Sequence, residues 1–178
     1  MISTKYLVQL VFLCLFYVGL SQKSAVYSNE YVDFKSALAL YNAQQYQSSQ
    51  LLFRTVESNT SNAFLKSNAA YYNANCAVRL NQPNAELLVE SFVEQYPSST
   101  KRNSAYFDVA NYYFENTKYA YARKWYDKVE VSSLSKTNLE PFYFKYGYSL
   151  YITKNYKAAK SYLSKVETSQ TYGSQAKY

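Results

Sequence analysis

The chain of 178 residues has no histidine, two cysteines, three glycines and three prolines. Without histidine there is no Ser-His-Asp triad, no histidine metal site and no imidazole shuttle working near neutral pH. Two cysteines cannot build a disulfide framework. So few glycines and prolines leave little turn chemistry for a sandwich or barrel of many short strands. What is abundant is tyrosine, with 23 residues, and aromatics reach 19%. Tyrosine counts as apolar yet carries a hydroxyl, which reconciles 48% nominally hydrophobic residues with a mean hydropathy of −0.39.

The first residues read as an export signal, 1–21. Lys5 supplies a positive start, Leu7 to Leu20 is apolar apart from Gln9 and Gly19, and Gly19 and Ser21 are the small residues a signal peptidase reads. The run is shorter than a membrane span and no basic stop-transfer cluster follows, so no transmembrane helix is expected in the mature chain. Residues 22–29 read as a linker. The mature chain keeps one thiol, Cys76, whose helical register favours a small buried apolar residue over a reactive one. Asn59-Thr60-Ser61 matches a weak glycosylation sequon.

Self-comparison is the most informative step. Phe53-Arg54-Thr55-Val56-Glu57, Tyr126-Asp127-Lys128-Val129-Glu130 and Leu163-Ser164-Lys165-Val166-Glu167 align. Small residues precede them at Ser49, Ala122 and Ala159, and tyrosines before those at Tyr46, Tyr119 and Tyr156. A weaker copy runs from Gln82 through Ala85 and Val89 to Phe92. The copies start at 46, 82, 119 and 156, intervals of 36, 37 and 37 residues. Upstream, a small residue (Ala37, Ala110, Gly147; Asn73 is the exception) is followed three later by a larger one (Leu40, Cys76, Tyr113, Leu150). Such spacings put side chains on one helix face, and the small residues let two helices approach closely. The expected pairs are 30–43 with 46–58, 62–81 with 84–96, 101–117 with 119–131, and 138–154 with 156–167. Residues 171–178 read as the opening of a truncated fifth unit, cut before it can pack, or as a tail.

This succession resembles the tetratricopeptide repeat family over residues 30–170, in about four copies, of which the second is degenerate because Gln82 replaces the turn tyrosine. The segment Phe92–Ser99 and the leading signal are similar to exported repeat proteins of Bacteroidota-type bacteria. The resemblance implies an all-α, right-handed α-solenoid of antiparallel helix pairs. It also implies a non-catalytic scaffold, periplasmic or outer-membrane-associated, that binds a protein or peptide in a concave groove. The positions that face ligand in that family correspond here to Tyr31, Phe34, Leu38 and Tyr41 in the first unit. They correspond to Ala70, Ala74 and Ala77 in the second, Phe107, Asn111 and Phe114 in the third, and Phe144, Tyr148 and Tyr151 in the fourth. The same rings could instead pack between units. The carboxylate clamp of the family is absent apart from Asn111. A structural spacer, or a targeting module of a longer protein or enzyme, is the alternative.

No phosphate loop, metal-ligand cluster or nucleophile elbow appears, so neither cofactor nor catalysis is expected. Glu86, Glu90 and Glu94 form a ladder that reads as a solvated face. Residues 22–99 carry a net −1 and residues 100–178 a net +7. Lys124 and Lys128, and Lys157 and Lys160, are placed on outward faces, where they suit peripheral contact with an anionic envelope surface. Nucleic acid is not an expected partner of an exported protein.

Overall fold

The computed structural model describes residues 30–177; the expected signal and linker lie outside the described residues, as does Tyr178. The described chain is all-α. Its helices are α1 (Glu30–Asn42), α2 (Tyr46–Asn59), α3 (Ala63–Arg79), α4 (Ala85–Gln95), α5 (Arg102–Glu115), α6 (Tyr119–Tyr126), α7 (Lys136–Ile152), α8 (Tyr156–Leu163) and α9 (Gly173–Ala176). From α1 to α8 each helix packs on the next, so that α1 and α2, α3 and α4, α5 and α6, and α7 and α8 form successive neighbouring pairs.

The tyrosine register locates the helix starts: Tyr46, Tyr119 and Tyr156 open α2, α6 and α8. The small residues sit where helices touch. Ala37, Ser49, Ala110 and Ala122 are fully buried, and Ala159 nearly so. At Gly147 a Cβ would lie 2.9 Å from the Leu163 side chain and 3.2 Å from its backbone nitrogen, so α7 and α8 approach too closely for any larger residue. Asn73 breaks the small-residue rule by exchanging packing for polar bonds: its Oδ1 accepts from Arg54 Nε at 3.3 Å and its Nδ2 donates to Glu57 at 3.4 Å. Gln82, the missing turn tyrosine, is matched by buried Gln50 in reciprocal amide bonds of 3.0 and 2.8 Å. Cys76 is fully buried beside Ser49, and burial pushes its thiol pKa up.

One turn recurs in every pair. Gln44, Asn81, Thr117 and Lys154 have φ of 60°, 51°, 59° and 63°, at intervals of 37, 36 and 37 residues. In each, the residue after the left-handed one donates back across the helix end: Gln45 to Leu40, Gln82 to Ala77, Lys118 to Tyr113 and Asn155 to Leu150, at 2.8 to 3.0 Å. This closes the helix as a Schellman turn, a position that glycine fills without steric cost. None of the four is glycine, and Thr117 is β-branched, for which positive φ is an outlier. Thr117→Gly is expected to raise stability by about 1 kcal/mol, or a melting temperature by about 3 °C. A thermal melt in which the variant unfolds earlier than the parent would count against the strain.

Three expectations change. The second helices of the last two pairs end at Tyr126 and Leu163, short of 131 and 167. The chain turns early there, with Lys128 N–H bonding Trp125 C=O and Val129 N–H bonding Tyr126 C=O, so that Val129, Val131 and Leu134 fold onto the core. Helix α7 starts at Lys136, two residues before the expected 138, and ends at Ile152 rather than 154. The C-terminal segment does pack: Ala176 is buried and Tyr172 stacks on Phe144 at 4.7 Å. Asn59 ends α2, and the Thr60 hydroxyl of the sequon donates to Glu30 at 2.5 Å.

Candidate protein-docking surface

The expected groove residues project from α1, α3, α5 and α7, and the structure separates them into open and closed. Tyr31 is 53% and Tyr151 44% exposed. Phe34, Leu38, Tyr41, Asn111, Phe114 and Tyr148 are half-buried. Phe107 is only 3% and Phe144 7% exposed. Their rings serve packing: Phe107 lies against Tyr126 and Phe142, and Phe144 against Phe114 and Tyr172. Ala70, Ala74 and Ala77 are buried too, because α3 is enclosed along nearly its whole length. Asn111 Oδ1 accepts from the Tyr126 hydroxyl at 2.8 Å, a bond within its own pair. The expected lining is therefore not one continuous open groove. Rings at these positions reach sideways to the next first helix, and where the partner residue is large the site closes.

The half-open positions form aromatic pairs at the turns. Tyr41 meets Tyr46 at 5.6 Å and 70°, Phe114 meets Tyr119 at 5.4 Å and 72°, and Tyr151 meets Tyr156 at 5.6 Å and 63°. These are edge-to-face contacts. Arg79, which no sequence pattern marked, lies 4.9 Å from the Tyr41 ring, 5.6 Å from Tyr46 and 5.2 Å from Tyr112. Its guanidinium donates to the Asn75 side chain at 3.0 Å. Burial raises the Tyr41 pKa, against the pull of Arg79.

Beside this cage, the buried Tyr71 hydroxyl donates to Asp108 Oδ2 at 2.5 Å, and Lys101 Nζ sits over the Tyr71 ring at 5.2 Å. Burial raises the Asp108 pKa, opposed by bonds from Tyr71 and Ser104 and by the charges of Lys101 and Arg79. A carboxyl held above its ordinary pKa binds its proton more tightly when folded, so stability falls as pH rises from the ordinary value through the folded one. Asp108→Asn keeps an acceptor for Tyr71 without a buried charge. The variant is expected to be more stable than the parent at pH 7, with the difference vanishing near pH ~3. Urea titrations at the two pH values check this; a less stable variant at pH 7 would mean that Lys101 and Arg79 outweigh burial.

The charged residues expected as solvated faces meet one another. Lys124 of α6 pairs with Glu86 at 2.5 Å, and Lys128, just past the end of α6, pairs with Glu90, both carboxylates lying on α4. They are partly exposed, so each adds little stability. Lys157 and Lys160 stay exposed. Among the described residues no three His, Cys, Asp or Glu side chains form a metal-binding group, and no helix is long and apolar enough to cross a membrane.

No protein-family model matches the chain, and no curated protein or solved structure does.

Proposed function

We propose that the chain is an exported, non-catalytic scaffold of tetratricopeptide type. In this reading it is a right-handed solenoid of about four repeats that holds a peptide or helix of an envelope protein against its first helices. The observation that carries the proposal is the set of partly open rings at Phe34, Tyr41, Phe114 and Tyr148, with Tyr31 and Tyr151 exposed beside them. Rigid rings bury area at low cost in rotamer freedom, which suits peptide capture. The perturbed titratable groups have packing or pairing causes and need no reaction to explain them.

The test is capture of polypeptide from an envelope extract by immobilised protein, comparing the parent with Tyr41→Ala and Tyr148→Ala. Helicity by circular dichroism verifies that both variants fold. Loss of the captured band in a folded variant supports the scaffold. A spacer is the second reading, favoured by the closure of Phe107, Phe144 and the α3 alanines. If both folded variants capture as the parent does, the spacer reading stands instead.

A further inference from the structure

Two half-buried cations lie among the first helices without a counter-ion. Arg79, at the end of α3, and Lys101, just before α5, have no carboxylate within ion-pair distance among the described residues. Lys124, Lys128 and Lys145, by contrast, are each paired with a glutamate. A charge drawn partly out of water is costly until it is paired, and ring faces offset only part of that cost. Asp108 is within electrostatic reach of both cations, but its Oδ2 already accepts from Tyr71, and burial favours its protonated form.

Rings join the two cations into one patch. Arg79 Cζ lies 4.9 Å from the Tyr41 ring, Tyr41 lies 5.0 Å from Tyr72, and Lys101 Nζ lies 5.7 Å from the Tyr72 ring. Both rings are half-buried, so the patch is open on one side. Tyr41, Tyr46 and Tyr112 hold the Arg79 guanidinium at 4.9 to 5.6 Å, and its Nη1 donates to the Asn75 carbonyl at 3.3 Å and side chain at 3.0 Å. Nε and Nη2 have no acceptor among the described residues. A guanidinium fixed in this way keeps a planar N–H fork that matches a carboxylate.

We propose that the patch from Arg79 to Lys101 binds an acidic segment of a partner protein. One side-chain carboxylate sits on the Arg79 fork, a second meets Lys101, and an apolar side chain between them covers Tyr41 and Tyr72. In an extended peptide, residues i and i+4 point the same way about 13 Å apart, with i+2 between them. The three ring steps bound the separation of the cations, and flexible glutamate side chains take up the difference. The proposal rests on the scaffold reading and names the chemistry of its partner.

The probe is a fluorescein-labelled, serine-rich peptide with glutamate, leucine and glutamate at alternate positions and an amidated C-terminus. It is titrated with the purified chain and followed by anisotropy. Saturable binding is expected. The same peptide with both glutamates replaced by glutamine, which leaves the protein untouched, should bind at least about tenfold more weakly. Arg79→Gln in the chain should weaken the glutamate peptide about tenfold and Lys101→Gln about threefold, with helicity verified by circular dichroism. Lys157→Gln, remote on α8 and equal in charge lost, should leave binding unchanged. No binding, equal binding of the glutamine peptide, or equal weakening by Lys157→Gln overturns the proposal. Binding only of peptides with a free C-terminal carboxylate, glutamine form included, overturns it in favour of a chain terminus as ligand. Failure here with Tyr41- and Tyr148-dependent capture intact removes the acidic preference and leaves the scaffold reading standing.

Discussion

Trp125→Ala is expected to lower the free energy of unfolding by about 4 kcal/mol, within the range for truncating a buried tryptophan. Trp125 is fully buried on α6, near the Tyr106 ring at 5.8 Å and under Lys128 Nζ at 5.1 Å. Its indole Nε1 has no hydrogen-bond partner. A buried unpaired N–H costs about 1–3 kcal/mol, so the native residue contributes packing and carries a penalty at once. Trp125→Phe removes the orphaned donor while keeping one ring, and is expected to cost only about 1 kcal/mol. Trp125 is the only tryptophan, so circular dichroism rather than fluorescence must follow the urea transition of both variants. If the phenylalanine variant loses as much as the alanine variant, ring volume dominates and the unpaired donor is energetically silent.

The helices were legible because spacings of three and four residues, with small residues at the crossings, leave little choice of element. Their starts at Tyr46, Tyr119 and Tyr156 followed directly. Features set by residues far apart in the chain were not legible. Gln82 looks like a defect until Gln50, 32 residues earlier, is found bonded to it. The acidic ladder and the lysines look solvated until the fold brings Glu86 and Glu90 to Lys124 and Lys128. Three of the left-handed turns were hidden because glutamine, threonine and lysine give no sign of positive φ, whereas glycine, or the asparagine at Asn81, does.

The groove was legible as a set of positions but not as a surface. Helical period places Phe107, Phe114, Phe144 and Tyr148 on one side of their helices. Whether a ring there is open depends on the size of the residue that the neighbouring helix presents. Phe107 meets Phe142 of a neighbouring first helix and closes, whereas Tyr151 meets only Tyr156 of its own pair among the described residues and stays open. The same arrangement explains why so many tyrosines are needed. Each can bury its ring between helices while its hydroxyl finds a partner, as Tyr71 does at Asp108, Tyr126 at Asn111 and Tyr146 at Asp127.

Phe142→Ala should cost about 4 kcal/mol as well, but through a different route. Phe142 is 1% exposed and stands where the third and fourth pairs meet. Around it lie Phe107 of α5 at 6.3 Å, Tyr126 of α6 at 5.7 Å and Tyr162 of α8 at 6.1 Å, with Tyr143 and Tyr146 of its own helix at 5.7 and 5.4 Å. Truncation removes a ring from five aromatic contacts, several edge-to-face, and opens a cavity between pairs rather than within one. Helix pairs stacked in succession hold together through nearest-neighbour interfaces, so weakening one interface loosens what lies beyond it. Native-state hydrogen exchange should therefore show amides of α7 and α8 losing protection by a factor of about 10² or more, with those of α3 keeping theirs. Urea unfolding of the variant should broaden, as two regions melt at different concentrations. A uniform loss of protection from α1 to α8, with a single sharp transition, would mean that the described chain unfolds as one cooperative body and that its pairs have no separate stability.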